Sequence, residues 1–297
     1  MLMGVFMMSI SASAQKYVDI ARVTFVNTPE NVFDSSTAKT RVREIVSDIT
    51  IPVPLSERTT LVSGFLYENL YAKISPLIDR EISAHTIMLK AGLNITHSER
   101  LKATYMFIPK LSSDLKRVGE KDFQWGGTAI FKLKKNENFT WQFGGLFNGE
   151  LFGPFVVPFL GYYYKSPSDK FEMNVLLPAS VDMNYAVHPK MNVGGSFVSF
   201  VKSFNLHESL YDRNSIYWVK STNEIFGYLQ MNPTKSLLLQ ARCGYSIARR
   251  FSVYENGDRV DLGIMAFKFG DDRQRLNPYF SDGLIFQLRL IYRFHLS

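Results

Sequence analysis

Asp282-Gly283-Leu284-Ile285-Phe286-Gln287-Leu288-Arg289-Leu290-Ile291-Tyr292-Arg293-Phe294 repeats its character every second residue. One face carries Leu284, Phe286, Leu288, Leu290, Tyr292 and Phe294. The other carries Ile285, Gln287, Arg289, Ile291 and Arg293. At about 100° per residue a helix would set the arginines among the leucines, so the stretch predicts a strand. A strand apolar on one side and cationic on the other suits a boundary between hydrocarbon and water. Every strand of an outer-membrane barrel forms such a boundary, and its last strand must close on its first.

The rest of the 297 residues fits that start. This length is within the range of one large all-β domain. Hydrophobic residues make up 46% and mean hydropathy is −0.06, which excludes disorder and a helical membrane protein. The 24 Phe and 15 Tyr suit strands and the aromatic girdles of a membrane barrel. They suit the core of a soluble β-sandwich equally. The net charge of +7 is scattered singly, and no nucleic-acid-binding motif accompanies it, so no nucleic-acid partner is expected. Basic loops facing an anionic lipid headgroup layer explain it more simply. A lone Cys243 excludes an intramolecular disulfide and reads as a small packing hydrophobe.

Residues 1–14 resemble a secretory signal: an apolar run ends in Ala12-Ser13-Ala14, a cleavage pattern, although the usual positive start is missing. Beyond residue 15 no apolar run reaches the roughly 18–20 residues of a spanning helix. The expected organisation is a signal peptide over 1–14 and one barrel domain over 15–297.

Strands are predicted from Tyr17 to Asn27, Arg41 to Pro52, Thr59 to Tyr71, Ser83 to Ile95, and from Leu101 through Pro109. The hairpin Phe123 to Lys134 and Phe139 to Phe147 follows, with Trp125, Phe139 and Trp141 as girdle candidates beside Tyr292 and Phe294. Further strands cover Phe155 to Tyr164, Lys170 to Leu177, Val181 to Val187, Met191 to Lys202, Ser215 to Gln230 and Leu237 to Ile247. Ser203 to Arg213 reads as a polar loop, and Arg249 to Ser281 as one large loop with a strand-like stretch at Val260 to Phe269. Short turns and longer polar loops alternate, as in a meander whose short turns face the periplasm. The expectation is an all-β, antiparallel up-and-down transmembrane barrel of about 14 strands (12–16).

Motifs for catalysis are absent: no G-x-S-x-G, H-E-x-x-H, Walker loop or C-x-x-C. Some outer-membrane enzymes use a Ser–His pair, which makes the placement of the five histidines informative. His97, His188 and His207 fall in turns or loops, His85 opens a strand and His295 follows the last aromatic, a distribution that suits solvated histidines. Asp258, Asp261, Asp271 and Asp272 read as a solvated charged loop rather than a cation site. No catalytic residue, cofactor or metal site is assigned. The positive clue lies on the lumen-facing sides. Lys132, Lys134, Arg242, Arg289 and Arg293 share them with Gln124, Gln142, Gln240 and Gln287, while acids such as Glu172 and Glu224 look fewer. An open cationic lumen would favour anions. Alternatively, arginines and carboxylates pair into a plug, helped by the inward-facing Phe226, Tyr228 and Ile285.

Trp125-Gly126-Gly127, Phe152-Gly153-Pro154 with Pro158 and Gly161, Leu177-Pro178 with Tyr185, and Arg275-Leu276-Asn277-Pro278 with Ser281-Asp282-Gly283-Leu284 carry a resemblance. The chain resembles an uncharacterised, domain-of-unknown-function family of Gram-negative outer-membrane barrels. That resemblance implies a fold and no activity. Barrels also end on an aromatic that the assembly machinery reads; here His295-Leu296-Ser297 follow Phe294.

Together these readings predict an outer-membrane protein, a passive porin-like channel or a structural surface protein and not an enzyme. Its expected partners are outer-membrane lipids, lipopolysaccharide and the barrel-assembly machinery. Two alternatives stay open. One is an outer-membrane enzyme acting on lipid or peptide from its outer loops. The other is a soluble periplasmic β-protein holding an apolar ligand, which Phe131, Leu239 and Leu288 in a dry core would favour.

Overall fold

A computed structural model describes residues 17–34, 36–208, 210–211 and 215–295; the expected signal peptide lies outside the described residues. Fourteen antiparallel strands close into one barrel. In chain order they are β1 (Tyr17–Asn27), β2 (Arg43–Pro54), β3 (Thr59–Ala72), β4 (Ile82–Thr96), β5 (Leu101–Ser113), β6 (Phe123–Lys134) and β7 (Phe139–Glu150). They continue as β8 (Gly153–Lys165), β9 (Phe171–Leu177), β10 (Ser180–His188), β11 (Met191–Leu206), β12 (Ile216–Met231), β13 (Leu237–Glu255) and β14 (Leu284–His295). The cylinder closes where β1 meets β14, with Val23 opposite Leu290 and Phe25 opposite Leu288. The seam leaves no open edge between first and last strands.

One end of the barrel carries tight turns, and polar side chains build them. Ser56 Oγ accepts from the amides of Arg58 and Thr59, and Ser98 Oγ from those of Arg100 and Leu101. Thr234 Oγ1 accepts likewise from Ser236 and Leu237. A hydroxyl that supplies the missing acceptor makes such turns locally encoded. The other end carries the long connections 28–42, 73–81, 114–122, 207–215 and 256–283. Two connections at this end are short instead: Leu151-Phe152 and Pro178-Ala179. At the first, Gly153 adopts φ +123°, and a Cβ there would stand 2.4 Å from the Val260 carbonyl oxygen. Only glycine tolerates that approach.

The exterior is apolar. Leu288 is 62% exposed, Leu160 65% and Trp125 57%, and Phe25, Ile51, Phe107, Ile225 and Leu239 are exposed on the same outer surface. Phe131 also points outward, stacked on Phe143 at 5.5 Å. Phe131, Leu239 and Leu288 in a dry core would have favoured the soluble alternative, and all three face outward.

Two sequence expectations fail at the loop end. The strand containing Met191 runs on to Leu206, and that containing Leu237 runs on to Glu255, so Ser203 is not the start of a polar loop. Over Lys202–Leu206, Ile216–Lys220 and Phe251–Tyr254 the strands are buried on both faces. Such double burial means that this end of β11–β13 leaves the wall and folds into the lumen. It reaches the opposite side: Asp114 N donates to Asn205 O at 3.1 Å and Ser112 Oγ to Ser203 O at 2.8 Å. One face packs Phe204, Trp218, Phe251 and Val253 on Leu70, Ala72, Ile82 and Ala84 of β3 and β4, with Phe33 and Phe280 from the loops. The other packs Tyr217, Val219 and Tyr254 on Ile130, Leu146, Phe155, Val157 and Leu176. Burying each large side chain contributes about 1.5–3 kcal/mol, so this apolar plug is a second core.

The long connection 256–283 locks the plug down. Asn277 Nδ2 donates to Ile74 O and Phe251 O, each at 2.8 Å, and its Oδ1 accepts from Val253 N at 2.8 Å. Asp282 accepts from the amides of Ala248, which has φ +53°, and Arg249. Two residues of the stretch that carried the family resemblance are therefore the loop's fastenings.

Candidate functional site: the charged lumen

Beneath the plug the lumen holds charged layers, positioned because alternate residues of each strand must face inward. Nearest the plug, Lys202 reaches Glu44 at 3.2 Å and also contacts Glu68, while Lys220 reaches Glu44 at 2.5 Å. Beside them Lys110 binds Glu150 at 2.6 Å, and Glu150 accepts from Ser203 Oγ at 2.6 Å and Ser203 N at 2.9 Å. Lys90 contacts Asp48, which Arg22 also meets at 3.1 Å. Apart from Arg22, which is half-buried, these ions are almost wholly buried, where an unpaired charge is costly; pairing and hydrogen bonding offset that cost.

Lower down, Arg242 contacts Ser196 and lies over the rings of Phe226 (4.6 Å) and Tyr228 (5.4 Å). Tyr228 donates to Asp182 at 3.1 Å. At the turn end Arg293 grips Asp19 at 2.6 and 3.2 Å and covers the Tyr17 ring. A cavity of about 290 Å³ runs through these layers, from Tyr17 and Arg293 up to Glu44, Glu68 and Phe200 under the plug.

Of the residues singled out from sequence, Arg242, Arg289 and Arg293 line this cavity. Lys132 stands across from Lys102 and Gln142 on the wall of β5–β7, away from it. Lys134 sits at the rim, with Nζ on Glu137 of the adjoining turn at 2.5 Å. Trp125, Trp141, Tyr292 and Phe294 are exposed on the outside, and Phe139 is half-buried between Trp141 and Tyr162. Trp125 lies near the loop end and the other four near the turn end, which gives two aromatic levels.

The wall is not predominantly cationic. Five cations line the cavity (Arg22, Lys202, Arg242, Arg289, Arg293), and so do six acids (Asp19, Glu44, Glu68, Glu172, Asp182, Glu224). Asp19, Glu44, Glu68 and Asp182 were not among the acids expected there from sequence. Each occupies an inward position of its strand, and the same alternation that exposed the arginines could have found them. Phe226, Tyr228 and Ile285 are buried inside, as their positions implied. Among the loop acids, Asp271 holds Arg273 at 2.7 and 2.9 Å. Among the described residues no three His, Cys, Asp or Glu side chains are grouped to hold a metal.

A closed antiparallel barrel, apolar outside and charged within, is the class that this fold and lumen define. The chain belongs to the family described as domain of unknown function DUF6268, whose model matches residues 10–287. No curated protein matches it. Among solved structures it is similar to the COG4313 outer membrane channel from Pseudomonas putida F1, with 12% identity and a TM-score of 0.46 over 96% of this chain and 99% of that one. A TodX monoaromatic hydrocarbon channel mutant is 11% identical, with a TM-score of 0.41 over 98% and 92%. The translocator domain of autotransporter NalP from Neisseria meningitidis is 8% identical, with a TM-score of 0.39 over 97% and 91%. These are likenesses of general outline.

Proposed function

We propose that the chain is an integral outer-membrane barrel of the channel type, closed at its loop end in this conformation. Its inside-out polarity carries the reading: exposed aliphatic and aromatic side chains surround buried ion pairs. Water would penalise that exterior, whereas hydrocarbon satisfies it, and the closed hydrogen-bonded wall leaves no strand edge to lipid. On this reading the turns face the periplasm and the plug faces outward. The lumen admits small polar solutes from the turn side, and passage requires the inward ends of β11–β13 to move. The near balance of acids and cations removes the basis for strong anion selectivity.

The test is conductance of the refolded protein in a planar bilayer under a salt gradient. Wild-type protein is expected to be almost silent, and Trp218→Ala, which hollows the plug, to show frequent openings of weak selectivity. A steady large pore in the wild type would overturn the closed reading. Failure to float with liposomes would overturn the membrane reading.

A further inference from the structure

Across β13, β14 and β1 three arginines stand on one lumen-facing diagonal. Arg242 is opposite Gln287, and Arg289 lies two residues further along β14. Arg289 is in turn opposite Thr24, and Arg22 lies two residues back along β1. Diagonal neighbours of this kind are about 7–8 Å apart, so adjacent guanidiniums can meet on one small ligand. Like charges so placed repel, and burial calls for an acid beside each. Only Arg22 has one, Asp48, which it shares with Lys90. Arg242 is 5% exposed, yet among the described residues its one hydrogen bond goes to Ser196, and its Nε has no acceptor. Arg289 lines the cavity of about 290 Å³, and no described residue hydrogen-bonds to it or pairs with it. Asp182 and Glu224 line the same cavity without forming an ion pair with either arginine; Asp182 accepts from Tyr228 instead. The side-chain oxygen of Gln287, between the two arginines, is buried and also lacks a partner.

We propose that Arg242 and Arg289 bind a small organic monocarboxylate that enters the lumen from the turn end. The proposal rests on the channel reading and names the solute class of that channel. Charge selects a monoanion. Lys90, Arg22, Arg242 and Arg289 stand against Asp48, Asp182 and Glu224, which leaves one positive charge at this level. A dianion would overshoot it among three carboxylates. The near balance of the whole cavity is unaffected, because Glu44 and Glu68 are committed to Lys202 and Asp19 to Arg293. Shape selects a carboxylate, whose two oxygens match the planar fork of a guanidinium through parallel hydrogen bonds. The neighbouring wall selects an apolar body. Ile291 follows Arg289 on β14, Val46 is next across from Thr24, and Leu66 is opposite Asp48; all three line the cavity. The volume limits that body to a few carbons or one ring, since it lies just below the range of drug-sized sites. The plug closes the cavity above, so the ligand is held at the arginines until the inward ends of β11–β13 move.

Full-length protein is refolded, tested for flotation with liposomes and titrated calorimetrically in detergent with benzoate. Benzyl alcohol and sulfate serve as the uncharged and doubly charged controls. Benzoate is expected to bind once per chain and to raise the urea midpoint for loss of the heat-modifiable band, while both controls bind more weakly. Arg242→Met and Arg289→Met are each expected to weaken benzoate binding about tenfold or more, since each removes a charge-assisted hydrogen bond. Arg289→Met should also raise the midpoint measured without benzoate, because it removes a charge that the fold leaves unpartnered. An arginine with a merely structural role would lower it. A floating, folded protein that takes up no benzoate at about 10 mM holds only water at this level, which overturns the site alone. Variants that bind like wild type, equal binding of either control, or a lowered Arg289→Met midpoint do the same. A folded protein that does not float overturns the channel reading, whatever the titration shows.

Discussion

Lys202 is the residue on which the lumen network turns. It carries one charge between two carboxylates that come from strands far from it in the chain, Glu44 of β2 and Glu68 of β3. Replacing it by Met keeps much of the volume and leaves Glu68 without its cation. Breaking a buried pair from one side costs about 3–5 kcal/mol, because the remaining charge stays desolvated. Lys202→Met is therefore expected to lower the urea midpoint for loss of the heat-modifiable band; an unchanged midpoint would mean that the layer is hydrated. At this scale sequence reading succeeded one-sidedly. Arg242 and Arg289 were legible because each interrupts an apolar alternation. Glu44 shares a cleanly alternating face with Val46, Asp48 and Thr50 and was legible in the same way, whereas Glu68 sits in Phe65-Leu66-Tyr67-Glu68-Asn69, where the apolar contrast between faces is weaker.

Among the elements, the ends of β11–β13 depart furthest from the expectation of a simple meander. Their sequence does carry a signal, since Ile216-Tyr217-Trp218-Val219 has no polar face. An unbroken apolar run marks a strand covered on both sides. The connection 256–283 fastens this element through Arg273, which lies over the Tyr254 ring at 4.3 Å and donates to Tyr217 Oη at 3.3 Å. Asp271 completes the latch, and its hydrogen bonds from Arg273 hold its carboxyl below the ordinary aspartate value of 3.8. A depressed acid stabilises the folded state above its ordinary value and loses that contribution as pH falls through the lower folded value. The latch is thus expected to be intact at neutral pH and to loosen below pH 3.8, its effect small because Asp271 is largely solvated. Limited proteolysis of 256–283 across that range would show it, and Asp271→Asn should cut alike at both pH values.

For the whole molecule the decisive contact is the seam. Val23 and Leu290 are direct partners across β1 and β14, and facing residues in such pairs lie within disulfide reach, at about 4.5–5.5 Å between Cα atoms. Val23→Cys with Leu290→Cys, in a Cys243→Ser background, is expected to oxidise spontaneously. The product should keep its compact gel mobility at temperatures that unfold the reduced form. Free thiols in the folded protein would contradict closure.

The sequence by itself determined where most strands lie, a count of about 14 and the outward or inward sense of most side chains, because a period of two is written locally along each strand. It also showed which connections are tight, since Ser56, Ser98 and Thr234 close their own turns. Only the tertiary structure decided that the lumen is shut and that its charges balance. Those facts depend on register between strands and on the inward fold of three strand ends. Both bring together residues that lie far apart along the chain, and no local pattern records them.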